Sequence, residues 1–508
     1  GGVAAGQLAV RLFEPAGDTG SSEDFEAAVK RAQNELEELM ARQGELAAGI
    51  VEFQLALLDD EDFLEPVRKR IKAGVPWRDA WNEMVDGEIS EYKAGGDDFL
   101  AARADDLDDL KRRVAGGGAI VNDLHDGDIL VTSCLSPTQF LQLDTGHLAG
   151  IALSGGHPAG HVAILARDKG VNMITGLKAD LSGLEDKSAA IIDAGAGTLS
   201  IRPGKKALAA AAQQMELQKS IREAAARLVH KPARMSNGEA VKVMLNVGAP
   251  GSLEALSPDM CDGIGLTRTE FLFAGQGLPG EDRQFDAYRQ IVEWAAGRPV
   301  TIRLLDAGGD KPVAGITPDN ESNPFLGVRG VRLLLDRPDV LACQLRAILR
   351  AACLGPVKIM VPMVAVPQEM TDMHKHLAAA QNELAERGTP CGDVELGMMV
   401  EVPSAALMAE HFDTGFYSIG SNDLIQYTLA AARDNPAVAH LGNGRNEAVL
   451  ELIRRTVEAG RKTGRQVSLC GAMASDPAMV PVLLDKGLRI LSVSPSMAGQ
   501  VKLAVSQA

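Results

Sequence analysis

The sequence predicts an α/β protein in two parts: an α/β domain into which a helical bundle is inserted, followed by a (β/α)8 TIM barrel. The first observation is a strand pattern within residues 1–12 that precedes a long helical region, so this strand must pair with strands after residue 123. The second is a series of eight apolar stretches after residue 231, most of them separated by helical pattern. Eight β–α units in about 270 residues match the size of a TIM barrel.

Composition excludes several classes of protein. The chain has 508 residues and a formal net charge of −17 at pH 7, which argues against a nucleic-acid or anionic-membrane partner. Its six cysteines include no CxxC pair, so we expect reduced thiols in the cytoplasm rather than a disulfide framework or a thiolate zinc site. No apolar run reaches the roughly 18 residues that span a bilayer, and the first residues lack a signal pattern. We therefore expect no membrane insertion.

The first part of the chain changes character twice. Residues 1–12 alternate small and apolar side chains, as a turn followed by a strand does. Residues 21–118 have helical periodicity and predict an inserted bundle of about four helices. Residues 1–20 and 119–204 form the α/β domain, whose later strands are predicted at Asp128–Thr132, Leu148–Leu153, Ala189–Asp193 and Thr198–Ile201. Residues 205–230 are rich in Ala, Gln, Glu and Lys and predict a linker helix.

The barrel is predicted over residues 231–508. Its eight strands are the stretches Val241–Leu245, Gly263–Leu266, Val300–Leu305, Val357–Val361, Leu396–Val400, Phe416–Ile419, Gln466–Leu469 and Ile490–Val493. In this fold, catalytic residues follow the strands at the carboxyl end of the barrel. Two carboxylates in such positions, Glu401 and Asp423, suit a magnesium ion. Arg268 and Arg303 offer planar guanidinium groups that bind phosphate or carboxylate.

A second candidate site lies between Gly155 and Arg167, where a Gly-rich turn runs into an apolar helical pattern. Free backbone N–H groups and the positive end of a helix dipole meet there beside an imidazole, an arrangement that suits a phosphoryl group on histidine. Two histidines, His157 and His161, are available. The alternative interpretation is a Gly-rich turn with a histidine that caps the helix.

This stretch resembles the phosphohistidine loop of enzyme I of the bacterial phosphoenolpyruvate:sugar phosphotransferase system, in which a Gly-Gly pair stands five residues before the reactive histidine. The resemblance continues in order over nearly the whole chain, in the motifs Gly263–Phe273, Asp306–Lys311, Asn323–Arg329, Met360–Met363 and Gly420–Thr428. It also covers Leu57–Glu61 in the helical insert, where the family docks its phosphocarrier protein HPr.

The resemblance implies a role for each candidate residue. His161 would accept the phosphoryl group of phosphoenolpyruvate and pass it to a histidine of a small HPr-like carrier. Cys470 would protonate the enolate to release pyruvate, although a lone cysteine can also be a small buried hydrophobe. Phosphoenolpyruvate would be bound by Arg268, Arg303, Asn422 and Arg433, and Mg²⁺ by Glu401 and Asp423. Members of the family form homodimers through the barrel, and we expect the same here.

The chain departs from the family pattern at four positions. Gly160 and Val162 stand where the family has a hydroxyl-bearing residue on each side of the reactive histidine. Ala432 replaces an Asp before Arg433, and Ala472 replaces a Glu after Cys470-Gly471. We interpret the chain as a divergent but active enzyme.

Two alternatives remain at this stage. A pyruvate phosphate dikinase or phosphoenolpyruvate synthase would need an additional nucleotide-binding domain, for which 508 residues leave no room. A non-catalytic or weakly catalytic regulator that senses phosphoenolpyruvate is favoured by the altered residues beside His161 and disfavoured by the intact set of arginines, carboxylates and thiol.

Overall fold

The computed structural model describes residues 2–11, 24–42, 45–94, 98–116, 124–156, 161–178, 181, 183–273, 278–309, 313, 315–318, 321–433, 435 and 437–508. It divides into two compact units, Gly1–Ser220 and Ile221–Ala508. In the described part of the chain, no helix is long and apolar enough to cross a membrane.

The first unit contains a mixed sheet whose described strands are β1 (Val3–Val10), β2 (Asp128–Thr132), β3 (Gly150–Leu153), β4 (Met173–Ile174), β5 (Ala189–Asp193) and β6 (Thr198–Ile201). Their order across the sheet is β4-β3-β2-β1-β5-β6. The first strand lies in the interior of the sheet, parallel to β2 at Leu8 and Ile129 and antiparallel to β5 at Ala5 and Ile191. The prediction that the first strand joins the later ones is therefore confirmed.

The chain between β1 and β2 is helical. Its described helices are α1 (Phe25–Arg42), α2 (Glu45–Asp59), α3 (Glu61–Lys72), α4 (Trp77–Ala94) and α5 (Asp98–Val114). This is one helix more than the four expected. Only Asp60 separates the end of α2 from the start of α3, so two helices occupy a stretch whose sequence is helical throughout. The carboxylate of Asp60 accepts a hydrogen bond from the backbone N–H of Asp62 at 2.9 Å and so caps α3. The bundle packs around the fully buried Trp81, whose ring lies 5.9 Å from that of Phe25.

Three further helices follow the bundle: α6 (Pro137–Gln142), α7 (His161–Asp168) and α8 (Lys205–Leu228). α6 begins with a capping box in which Ser136 and Gln139 bond each other's backbone N–H groups. α8 occupies the stretch for which a linker helix is expected and crosses from the first unit into the second.

The second unit is a closed barrel of parallel strands, and the predicted fold class is confirmed. The barrel strands are β8 (Ala240–Val247), β9 (Ile264–Thr267), β10 (Val300–Arg303), β11 (Val357–Val361), β12 (Val394–Val400), β13 (Tyr417–Gly420), β14 (Val467–Cys470) and β15 (Ile490–Val493). The barrel closes where β15 pairs with β8 at Leu491 and Val243. A short strand, β7 (Ala233–Arg234), pairs antiparallel with β8.

The described helices of this unit are α9 (Glu281–Trp294), α10 (Val331–Asp336), α11 (Pro338–Ala351), α12 (Pro367–Glu386), α13 (Pro403–Leu407), α14 (Ser421–Leu429), α15 (Glu447–Thr463), α16 (Val480–Asp485) and α17 (Ala498–Gln507). Most buried apolar side chains of the strands and helices form one large core, and a small separate cluster contains Leu266, Met360, Met399, Phe416 and Cys470. Because the barrel strands are parallel, their carboxyl ends meet at one rim, and this rim carries the residues considered next.

Candidate active site

A cavity of about 290 Å³ opens at the carboxyl ends of the barrel strands. Every barrel residue for which we expect a binding or catalytic role lines it: Arg268, Arg303, Glu401, Asn422, Asp423, Arg433 and Cys470. Arg433 follows α14, and the other six residues follow or end five different strands. The closure of the barrel brings them together.

Arg303, the last residue of β10, is the buried cation of the cavity. It is 5% exposed and donates to Glu270 Oε1 at 2.7 Å, and its Nη1 lies 3.3 Å from Asp306 Oδ2. Burial alone would lower the pKa of Arg303, but the charges of Glu270 and Asp306 raise it well above its usual range. Its Nε is buried without a hydrogen-bond partner among the described residues. An orphaned donor at a cavity wall fits an anionic ligand with oxygen acceptors.

Arg329 is a second buried arginine at this rim. Its role was not predicted from the sequence. It is fully buried and donates to both carboxylate oxygens of Asp306, at 3.1 and 2.9 Å. Its Nη1 also donates to Asp423 Oδ1 at 3.3 Å and to the Tyr427 hydroxyl at 3.1 Å. Arg329 therefore joins the end of β10 to the start of α14. The signal that could have pointed to it was its place in the Asn323–Arg329 motif.

Glu401 and Asp423 are the two carboxylates of the cavity. Glu401 is 1% exposed, and its Oε1 accepts a hydrogen bond from the backbone N–H of Met363 at 2.7 Å. Burial, followed by the charges of Asp423 and Asp306, raises the pKa of Glu401 to about 8. A buried carboxylate with other acids nearby is stabilised by a cation. The guanidinium groups of Arg303 and Arg329 are bonded to Glu270 and Asp306, so neither forms a direct ion pair with Glu401 among these bonds.

The donor set fits a hard divalent cation. Magnesium ions take oxygen ligands, usually one or two carboxylates, and complete their octahedron with water and substrate oxygens. The described residues contain no cluster of three or more His, Cys, Asp or Glu with metal-binding geometry.

Cys470 ends β14 and is 3% exposed. Its thiol donates to the carbonyl of Ile419 at 3.5 Å. Burial, with a smaller effect from Glu401, raises the pKa of Cys470 to about 11, so the thiol keeps its proton at neutral pH. Gly471 follows with φ of +93°, and a Cβ there would lie 2.4 Å from Ser421 Oγ. This close approach requires glycine.

The open side of the cavity carries two further arginines. Arg268 is exposed, and the Arg433 side chain is 35% exposed with Nη1 3.6 Å from Asp423 Oδ2. Asn422 is held in place because its Oδ1 accepts the backbone N–H of Ala472 at 3.0 Å.

In the first unit, α7 begins at His161. Gly155 N–H donates to the Ser133 carbonyl at 2.8 Å, and Gly156 has φ of +79°. Residues 157–160, with the alternative His157 and the departure Gly160, and the side chain of His161 lie outside the described residues.

Comparisons with known proteins define the class. Residues 222–508 match the family model "PEP-utilising enzyme, PEP-binding domain". Residues 1–103 match "PEP-utilising enzyme, N-terminal", and residues 124–197 match "PEP-utilising enzyme, mobile domain".

Individual relatives narrow the class. The chain is 36% identical over 503 residues to a phosphoenolpyruvate-protein phosphotransferase of Bacillus sp. (strain S), an alignment that covers 95% of this chain and 87% of the relative. It is 38% identical over 476 residues to a multiphosphoryl transfer protein of Xanthomonas campestris pv. campestris, covering 91% of this chain and 56% of that one. The chain belongs to the phosphoenolpyruvate-protein phosphotransferase family, as its motifs predict, and is a transferase.

A solved structure, "NMR solution structure of Enzyme I (nEIt) protein using two 4D-spectra", aligns with 43% of this chain and 96% of its own at 24% identity. Its TM-score is 0.36, so the family assignment rests on the sequence comparisons.

Proposed function

We propose that the chain transfers the phosphoryl group of phosphoenolpyruvate to its own His161 and then to a histidine of a small HPr-like carrier, releasing pyruvate. The observation that carries the proposal is the cavity at the barrel rim, in which three arginines, an amide, two carboxylates and a protonated thiol converge.

Substrate binding is assigned to Arg268, Arg303, Asn422 and Arg433. Phosphoenolpyruvate carries a carboxylate and a phosphate, and guanidinium groups bind both through paired N–H donors. The Nε of Arg303 offers a donor that has no hydrogen-bond partner in the described part of the chain. Arg268 and Arg433, which are solvent-accessible, would meet the anion first.

Glu401 and Asp423 would hold Mg²⁺, which when bound would neutralise charge on the phosphoryl oxygens. The raised pKa of Glu401 supports this, because a bound cation would stabilise the charged carboxylate.

Cys470 is assigned as the proton donor. Cleavage of the bond between phosphorus and the enol oxygen leaves the enolate of pyruvate, whose methylene carbon must gain one proton. A thiol with a pKa of about 11 is protonated at neutral pH and can supply it. The resulting thiolate would be stabilised by Arg303, whose charge already lowers the pKa of Cys470.

His161 is assigned as the phosphoryl acceptor, with a ring nitrogen attacking phosphorus. Its position as the first residue of α7 supports this, because backbone N–H groups at a helix N-terminus favour a bound phosphoryl group. The same histidine must react first with phosphoenolpyruvate and then with the carrier, so His161 must move between two positions during each reaction cycle. We place the carrier on the helical insert around Leu57–Glu61, the homodimer contact on the barrel, and the protein in the cytoplasm.

The test is phosphorylation of the purified chain by labelled phosphoenolpyruvate with Mg²⁺. Label should enter the wild type and the control variant His157→Ala, should be absent from His161→Ala, and should be released by acid, as expected for phosphohistidine. If label enters His161→Ala as it enters the wild type, the acceptor is assigned wrongly. If phosphoenolpyruvate binds but labels none of the three proteins, the chain is a sensor rather than a transferase of this substrate.

A further inference from the structure

Two exposed cysteines lie far from the cavity and have no part in the proposed reaction. Cys353 follows the end of α11, and Cys391 lies in the loop that connects α12 to β12. Both are free thiols. They lead into the amino ends of two barrel strands, at the rim opposite the cavity.

The strands that they precede are direct neighbours. β11 pairs with β12, and the first pair in their register is Val357 with Val394. Cys353 stands four positions before Val357, and Cys391 stands three positions before Val394. The two segments therefore reach the barrel side by side.

The backbone beside Cys391 packs directly on the backbone of Cys353. Gly392 N–H donates to the carbonyl of Leu349 at 2.9 Å. A Cβ on Gly392 would lie 2.4 Å from the carbonyl carbon of Ala352 and 2.8 Å from Cys353 N. Such an approach is possible only for glycine, and it holds the Cys391 segment against the end of α11.

Two ion pairs to one carboxylate connect the carboxyl ends of α11 and α12. Arg350, in the last turn of α11, donates to Glu281 Oε1 at 2.8 Å. Arg387, just after α12, donates to Oε2 of the same carboxylate at 3.4 Å. One side chain of α9 thus ties the ends from which both cysteines extend. Burial raises the pKa of Cys353, and the charge of Cys391 raises it further, in keeping with two neighbouring thiols.

We propose that Cys353 and Cys391 form a reversible disulfide when the protein meets hydrogen peroxide. One thiol loses its proton, and its thiolate attacks a peroxide oxygen. The O–O bond breaks, and the leaving hydroxide takes up a proton, so that a sulfenic acid and one water result. The second thiol attacks the sulfenic sulfur, the S–O bond breaks, and a second water leaves. Two thiols are oxidised and one peroxide is reduced to two waters, and a dithiol reductant reverses the change. A disulfide needs a Cα separation of about 4.4–6.8 Å. Cys391 is the neighbour of Gly392, at which an ideal Cβ would lie 2.8 Å from Cys353 N, so the two segments are in direct contact.

The disulfide would enclose one β–α unit, β11 with α12. Because it lies at the amino ends of the strands, we expect no direct effect on the cavity. Closing a long loop stabilises the folded chain, so the oxidised protein should melt several degrees above the reduced one. Since a raised thiol pKa reduces the thiolate fraction at neutral pH, oxidation should be faster at pH 9 than at pH 7.

The experiment treats the full chain with hydrogen peroxide, blocks remaining thiols, and maps peptides by mass spectrometry before and after reduction. We expect a crosslinked peptide pair that contains Cys353 and Cys391, loss of two titratable thiols, and a higher melting temperature that dithiothreitol reverses. Cys353→Ser and Cys391→Ser should each abolish the crosslink and the rise in melting temperature, whereas Cys343→Ser, at a half-buried thiol elsewhere, should retain both. Oxidation of either thiol to sulfinic acid without a crosslink, or a disulfide between chains, would overturn the proposal.

Discussion

Replacing Arg329 by Met tests whether the buried ion network under the cavity stabilises the barrel. The change keeps a long apolar side chain and removes the guanidinium that bonds both oxygens of Asp306. Breaking a buried ion pair costs roughly 3–5 kcal/mol because a charge is left without its partner. Since Arg303 Nη1 remains 3.3 Å from Asp306 Oδ2, we expect the lower end, about 3 kcal/mol. For a unit that runs from Ile221 to Ala508, this loss corresponds to a melting temperature roughly 5 °C lower.

The assay is differential scanning calorimetry of the full chain, with the free energy of unfolding from denaturant titration as a second measurement. The double variant Asp306→Asn with Arg329→Met removes the charge of Asp306 together with its Arg329 partner. Asp423 still lacks its bond to Arg329, so the double variant should recover part of the lost stability. Arg303 keeps its bond to Glu270 at 2.7 Å in both variants. The reasoning is refuted if Arg329→Met unfolds within 1 kcal/mol of the wild type, or if the double variant is less stable than the single one.

Three further predictions concern the cavity. Cys470→Ala should slow pyruvate formation in a single turnover by roughly 10²–10⁴-fold without a matching change in phosphoenolpyruvate affinity, and an equal loss of both would contradict a role in proton donation. The pKa of Cys470 is raised from 9.0 to about 11, so the wild type should lose stability relative to Cys470→Ala as pH rises from about 9 to 11. Denaturation at each pH measures this difference. If both proteins show the same dependence of stability on pH, the raised pKa of Cys470 is wrong. Gly420→Ala places a Cβ 2.6 Å from Glu401 Oε2 and so displaces the carboxylate that we assign to Mg²⁺. Labelling should then need roughly 10–100-fold more Mg²⁺. The control Gly248→Ala, whose Cβ has no described atom within 4 Å, should behave as wild type.

The barrel could be predicted from sequence because most residues of its strands are buried. Each strand is then a short run in which apolar residues predominate, and all eight predicted stretches correspond to strands within a few residues. The extra helix of the insert could not be predicted in the same way. α2 and α3 are separated only by Asp60, and a single capping residue changes the direction of the chain without interrupting the helical composition.

The site residues at strand ends could be predicted from the sequence, but Arg329, which forms hydrogen bonds to acids on two different elements, could not. Glu401 and Cys470 stand at strand ends, where the rule for this fold places chemistry. Arg329 precedes a short helix, and its partners Asp306 and Asp423 are 23 and 94 positions away. Nothing in local periodicity connects residues at such separations, so a bond of this kind becomes visible only when the barrel is closed.

The four arginines at the rim fall into two groups with different chemistry. Arg303 and Arg329 are buried and bonded to Glu270 and Asp306, so their charges are already compensated before any ligand arrives. Arg268 and Arg433 are accessible, so they can attract an anion from solvent. The buried pair holds the acids of the rim in fixed positions, which keeps the cavity arranged for a charged substrate without reorganisation during the reaction. A site of this kind needs acids and bases in nearly equal number, which explains why neither net charge nor local charge runs revealed it.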